Sequence, residues 1–157
     1  MGNVDHPKLI GDRTTLAVMI ALRTAGLTVL LPFGEHTRYD LAVDQGTRLA
    51  RVQCKTGRLR KGAVRFKACS TYAHHLNRPT PSRDYAGQVE YFGVHCPDTG
   101  AVYLVPIEAL EVKFQGALRV TPALNGQRRR VRMAADFEIG SVLVAPPTSD
   151  PQELFSR

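Results

Sequence analysis

Asp40, Gln53 and Lys55 have the side-chain types and spacing to do chemistry on one surface. They fall within RYDLAVDQGTRLARVQCKTG, residues 38 to 57, where apolar residues alternate through Leu41 and Val43, then through Ala50, Val52 and Cys54. Alternation on both sides of Gln45-Gly46 predicts a β-hairpin. A two-residue loop there puts Leu41 opposite Ala50, Val43 opposite Arg48 and Asp40 opposite Arg51. With period two, Leu41, Val43, Ala50, Val52 and Cys54 share the core face, and Asp40, Ala42, Leu49, Arg51, Gln53 and Lys55 share the other. On that second face Asp40 and Gln53 are diagonal neighbours, roughly 7–8 Å apart at the backbone. A carboxylate, an amide and an ammonium so grouped can hold a metal ion with a cation beside it, or only pair weakly on a solvated face.

The elements before the hairpin have to position it. Asp12 to Ala25 reads as a helix, with Asp12 as N-cap, Leu16, Met19, Ile20 and Arg23 at helical spacing and Gly26 as the stop. Apolar residues almost encircle it, which predicts burial against a sheet. Residues 1 to 8 read as a loose leader. Leu27 to Leu31 is an apolar run closed by Pro32, hence a first strand, and a loop from Phe33 to Thr37 leads into the hairpin.

After Gly57, Arg58-Leu59-Arg60-Lys61-Gly62 reads as a basic turn before a strand, Ala63 to Ala68. In that strand Val64 and Phe66 alternate with Arg65 and Lys67, so its charged face looks outward or toward a ligand. Ser70 to Gln88 reads as a short helix or turn and a loop containing His74-His75. Val89 to His95 and Ala101 to Val105 read as strands joined by a Pro- and Gly-containing turn. Ile107 to Leu110 reads as a helical turn, Glu111 to Phe114 and Ala117 to Val120 as strand-like, Asn125 to Arg132 as a basic loop, and residues from 140 onward as a flexible tail. The sum is an α/β fold, a mixed sheet flanked by helices, in one domain.

The chain has 157 residues, 43% hydrophobic and 22% charged, a globular composition. Its 21 Lys and Arg against 14 Asp and Glu give a net charge of +7, which suits a polyanionic partner, nucleic acid before all others. The longest apolar run, Leu16 to Leu22, is too short to span a bilayer, and the N-terminus shows no signal-peptide core; a cytoplasmic protein is expected. Cys54, Cys69 and Cys96 are odd in number and without C-x-x-C, against a disulfide framework or a zinc site.

Asp40, twelve residues, then Gln53-x-Lys55 at the end of a hairpin resembles the PD-(D/E)XK nuclease superfamily. Within it the pattern is similar to the branch of group I intron-associated homing endonucleases in which Gln replaces the second acid. Leu31-Pro32-Phe33-Gly34-Glu35 before Arg38-Tyr39-Asp40-Leu41 looks like that branch's approach to its first acid, and Arg51 to Gly57 looks like its Gln-x-Lys strand. Similar segments follow at Tyr91-Phe92, Cys96-Pro97, Val102 to Pro106, Asn125-Gly126-Gln127 and Ala135 to Glu138, so the resemblance runs over residues 9 to 139.

The resemblance implies a restriction-endonuclease-like core and a metal-dependent endonuclease acting on double-stranded DNA. It implies Asp40, Gln53 and the backbone carbonyl of Cys54 as ligands for Mg²⁺, or Mn²⁺, and Lys55 as the residue that orients or helps deprotonate the water. The family also carries a Glu on the first helix, four residues after a Gly; here Gly11 is followed at that spacing by Thr15, and Asp12 one turn earlier is a substitute or merely a cap. The alternative reading is a DNA-binding module of nuclease fold whose site has decayed. Phosphate contacts are expected from Arg38, from Arg58, Arg60 and Lys61, and from Arg128, Arg129, Arg130 and Arg132. A small domain reading a long site implies a homodimer or homotetramer. His74-His75 lack a chelating spacing, and the roles of Tyr72, Tyr85 and Tyr91 stay open between stacking and packing.

Overall fold

The computed structural model describes residues 6–71, 82–110, 114–122, 126 and 131–139. His74, His75, Tyr72, Arg128, Arg129, Arg130, most of the stretch read as a strand at 111 to 114, and the tail from 140 lie outside them.

Helix α1 spans Pro7–Thr24, one turn longer at its start than the sequence predicts. Pro7 occupies the first turn, where its missing N–H costs nothing, and His6 caps it by accepting from Lys8 N at 3.3 Å, so Asp12 is a mid-helix residue and not the cap. The stop is as expected: Gly26 takes φ +85°, and Leu27 N and Gly26 N return to the carbonyls of Leu22 and Arg23. Burial of the helix is one-sided. Thr14, Val18 and Leu22 are buried one turn apart, whereas Leu16 and Ile20 are 56% and 66% exposed. The helix packs against the sheet as expected, but the sheet covers one stripe only and leaves its remaining apolar residues outward.

That sheet has five strands: β1 (Thr28–Leu30), β2 (Leu41–Asp44), β3 (Leu49–Thr56), and further along the chain Tyr91–Cys96 and Ala101–Pro106. The last two pair antiparallel with each other, and the first of them runs parallel to β3, so the sheet is mixed and β3 is central. The hairpin forms with a longer loop than predicted. Leu41 faces Val52, Ala42 faces Arg51 and Val43 faces Ala50, and the four-residue turn closes with Gln45 N on Arg48 O at 2.9 Å and the Asp44 carboxylate accepting from Gly46 N at 2.8 Å. The register is shifted by two, which leaves every side chain on its expected face. Continued by one residue, it sets Asp40 directly across from Gln53.

Leu41, Val43, Val52 and Cys54 pack with Val18 and Leu22 between sheet and helix. The opposite face is covered by a second, three-stranded sheet. Its strands are β4 (Arg58–Arg60), β5 (Ala63–Lys67) and Gln115–Arg119, with β5 in the middle. The stretch read as a basic turn is thus a strand, and the turn shrinks to Lys61-Gly62, both at positive φ. Gly57 makes the switch between sheets: its N–H bonds His95 O at 2.8 Å, and a Cβ there would lie 2.6 Å from Val64. Two short strands, β6 (Ser70–Thr71) and β7 (Ser82–Arg83), complete the chain order before β8 (Tyr91–Cys96), β9 (Ala101–Pro106) and β10 (Gln115–Arg119). Phe66, Tyr85, Phe92, Val94, Val105 and Leu118 form the core between the sheets. The three thiols are buried and free. Among the described residues no helix is long and apolar enough to cross a membrane.

Candidate active site

Gln53 and Lys55 alternate with the buried Val52 and Cys54, so the pleat turns both toward the face opposite α1, where Asp40 enters β2. Asp40 Oδ2 accepts from Gln53 Nε2 at 2.7 Å and from Cys54 N at 2.7 Å. The same Gln53 nitrogen lies 3.5 Å from the Cys54 carbonyl oxygen. One amide donor therefore sits between two hard oxygen acceptors, a carboxylate and a main-chain carbonyl. Rotating the Gln53 amide by half a turn would put a third oxygen in its place, and the set then fits a hard cation such as Mg²⁺. Only one of the three carries charge, and among the described residues no group of three His, Cys, Asp and Glu side chains converges.

Burial raises the Asp40 carboxyl above its usual range, against the lowering effects of the Cys54 N–H, the Lys55 charge and the Gln53 amide. The Cys54 thiol is pushed up to about 12, chiefly by burial and next by the Asp40 charge, so at neutral pH it is a thiol and the carbonyl is its available donor.

Lys55 Nζ donates to Cys69 O and to the Tyr85 hydroxyl, each at 3.2 Å, and lies 4.7 Å from the centre of the Tyr85 ring. Arg38 stacks on the same ring at 4.2 Å. Its guanidinium donates to Gln88 Oε1, to Ser70 Oγ at 2.7 Å and to Asp84 O at 2.8 Å. Arg38, expected to contact DNA, lines the cleft with its guanidinium bonded into the wall. Tyr85, 4% exposed, is the bracket between Arg38 and Lys55, and the sequence offered only an undecided tyrosine.

Asp40, Gln53, Arg38, Ser70 and Tyr85 line an open cleft of about 350 Å³, whose rim carries Glu35 and His36. These rim residues were not singled out by sequence; the signal was their place in the loop between Pro32 and Arg38. Thr15 faces the other side of β3. It donates to Gly11 O at 3.2 Å and lies against the Cys54 thiol, while Asp12 is exposed and does not line the cleft. Arg58, Arg60 and Lys61 are exposed on β4 and its turn; Arg132 lies beside β10, its carbonyl accepting from Arg119 N at 2.7 Å.

A helix against a mixed sheet, with Asp on one hairpin strand and Gln-x-Lys on the next, defines a nuclease of restriction-endonuclease-like fold. The chain belongs to the PD-(D/E)XK endonuclease family, whose model matches residues 5–140. Its structure is similar to that of a bacterial homing endonuclease, I-Ssp6803I, with TM-score 0.64 and 19% identity over 87% of this chain and 89% of that one. The curated proteins give no match.

Proposed function

We propose that the chain is a metal-dependent endonuclease of homing type that hydrolyses double-stranded DNA. The observation that supports this most directly is the meeting of Asp40 and Gln53, which line the cleft, with the Cys54 main chain, and with the Lys55 charge near enough to act on the Asp40 carboxyl, in a chain of an endonuclease family. A divalent cation, when bound, supplies Lewis acidity to the phosphate and to the attacking water. Asp40 contributes the negative charge that holds it, and Gln53 and Cys54 neutral oxygens. Lys55, fixed by Tyr85 and the Cys69 carbonyl, keeps a positive charge oriented toward the charge that develops on the phosphoryl oxygens, without reorganising during the reaction. Arg58, Arg60, Lys61 and the Arg128 to Arg132 run supply phosphate contacts.

The lone carboxylate favours one second reading, a DNA-binding module of nuclease fold. A nuclease assay on duplex DNA in Mg²⁺ and in Mn²⁺, with the native chain and Lys55→Ala, separates the two. The substitution is expected to abolish cleavage and keep most of the DNA affinity, because the exposed arginines that meet phosphate lie elsewhere. No cutting by the native chain, with retained DNA binding, would favour the module.

Cutting both strands of a duplex with one site per chain calls for a symmetric assembly, a homodimer or homotetramer. The outward apolar residues Leu9, Leu16 and Ile20 of α1, with Leu30 on the edge strand β1, offer the surface for it. Light scattering at micromolar concentration is expected to give at least twice the chain mass, falling on Ile20→Glu; a monomer with and without DNA would contradict the assembly.

A further inference from the structure

The second sheet turns one face to the core and the other to solvent. Val64, Phe66 and Leu118 fill the inner face, and Arg58, Arg60, Arg65, Lys67, Gln115 and Ala117 are exposed. The registers bring these outward residues together: Arg58 pairs Arg65, which pairs Ala117, and Lys67 pairs Gln115. Four exposed cations, Arg58, Arg60, Arg65 and Lys67, occupy this face together with the half-buried Arg119, and no described strand position of the sheet is acidic.

The face is braced at both edges. Arg119 reaches across the turn to Lys61 O and Thr121 O, each at 3.1 Å, and on the other edge Leu59 N bonds the Asp98 carboxylate at 2.7 Å. Its central strand leads straight into the cleft, since two residues beyond Lys67 the Cys69 carbonyl holds Lys55, and Ser70 follows with its bond to Arg38.

Its dimensions match one groove. The neighbouring strands β4 and β5, about 4.8 Å apart, form a two-stranded ribbon of the kind that the major groove of B-DNA, about 12 Å wide, admits. Successive outward side chains on a strand lie about 6.7 Å apart, close to two base-pair steps of about 3.4 Å. Residues on the middle strand reach deepest, and those on the edges stand nearest the phosphates.

We propose that this face lies in the major groove of duplex DNA, with Arg65 and Lys67 on β5 reading base edges and Arg58 and Arg60 on β4 meeting phosphates. The inference rests on duplex DNA as the ligand of the preceding section and not on the cleavage chemistry.

The test is enrichment of sequences from a randomised duplex DNA library by the full chain in metal-free buffer, set beside cleavage of duplex DNA in Mg²⁺. The native chain is expected to enrich one motif. Arg65→Ala and Lys67→Ala are each expected to lose the preference at one or two adjacent base pairs, with affinity for the native motif reduced about 10- to 100-fold. Arg60→Ala is expected to keep the motif and lower the slope of log affinity against log salt by about one unit. All three positions are exposed, so thermal unfolding should match the native chain and exclude misfolding as the cause. Native motif and affinity in both β5 variants would overturn the proposal, as would no enrichment by the native chain or equal competition by duplex RNA, whose deep, narrow major groove does not admit a sheet. Unchanged variants with cleavage intact would leave the endonuclease reading standing, and altered motifs in a chain that never cuts would support the face while removing that reading.

Discussion

Asp40→Asn is expected to abolish cleavage and at the same time make the protein more stable at neutral pH. Loss of one preorganised electrostatic group from an active site costs about 10²–10³ in rate, and Asp40 is in addition the one charged group of the proposed ligand set. The stability half follows from its raised carboxyl. A carboxyl raised in the fold contributes stability that is fully present below its unfolded value, about 3.9, and is lost as pH rises through the folded value. At pH 7 native Asp40 is therefore a charge the fold resists, and an isosteric neutral amide relieves it. Melting curves of the two proteins should separate at pH 7, with the variant higher, and converge below about pH 4, where both groups are neutral. Added Mg²⁺ should raise the native melting temperature and leave the variant's unchanged, because binding to the folded state alone stabilises it. A variant less stable at pH 7, or one that still cuts, would remove Asp40 from the centre of the site. A site that costs stability is the pattern expected where function opposes folding.

Asp40, Gln53 and Lys55 were legible because parity is more robust than register. The turn was read two residues too short, since Gln45-Gly46 looks like a tight turn and the Asp44 side chain that caps a longer one is not visible in a pattern of apolar residues. A shift by two returns each side chain to its own face, so the site survived the error and even tightened. Parity also predicted that Arg65 and Lys67 face outward, yet not that β4 lies beside them, because nothing in Arg58 to Gly62 shows that Gly57 lets a strand leave one sheet for another. On α1 the apolar residues announced a helix but not how many sides would be covered; that depends on what else reaches it, and the sheet reaches Val18 and Leu22 and leaves Leu16 and Ile20. Pro7 was a start signal passed over in favour of Asp12. Arg38 and Tyr85 were the hardest to read, since their partners Ser70, Asp84 and Gln88 lie 32 to 50 positions from Arg38. No local pattern carries such a contact.

Phe92→Ala is expected to cost about 3–5 kcal/mol, a large part of the 5–15 kcal/mol typical of a domain, and to disable the cleft in the molecules that still fold. Phe92 is 1% exposed on β8, beside Gln53 in the parallel ladder, and its ring centre lies 5.9 Å from Phe66 and 5.6 Å from Tyr85, edge to face. Truncation opens a void between the two sheets and removes the surface on which Tyr85 stands. Tyr85 in turn sets Lys55 through its hydroxyl and Arg38 through its ring, so the loss passes from core to site in two contacts. Urea denaturation of Phe92→Ala, Tyr85→Leu and the double variant measures the link: residues in direct contact should show a coupling of at least about 0.5 kcal/mol. Tyr85→Phe, which keeps the ring and deletes the hydroxyl, should retain most of the stability and lose activity, assigning the fault to Lys55 placement and not to packing. Additive losses in the cycle, or full activity in Tyr85→Phe, would show that the aromatic stack supports the fold without orienting the lysine.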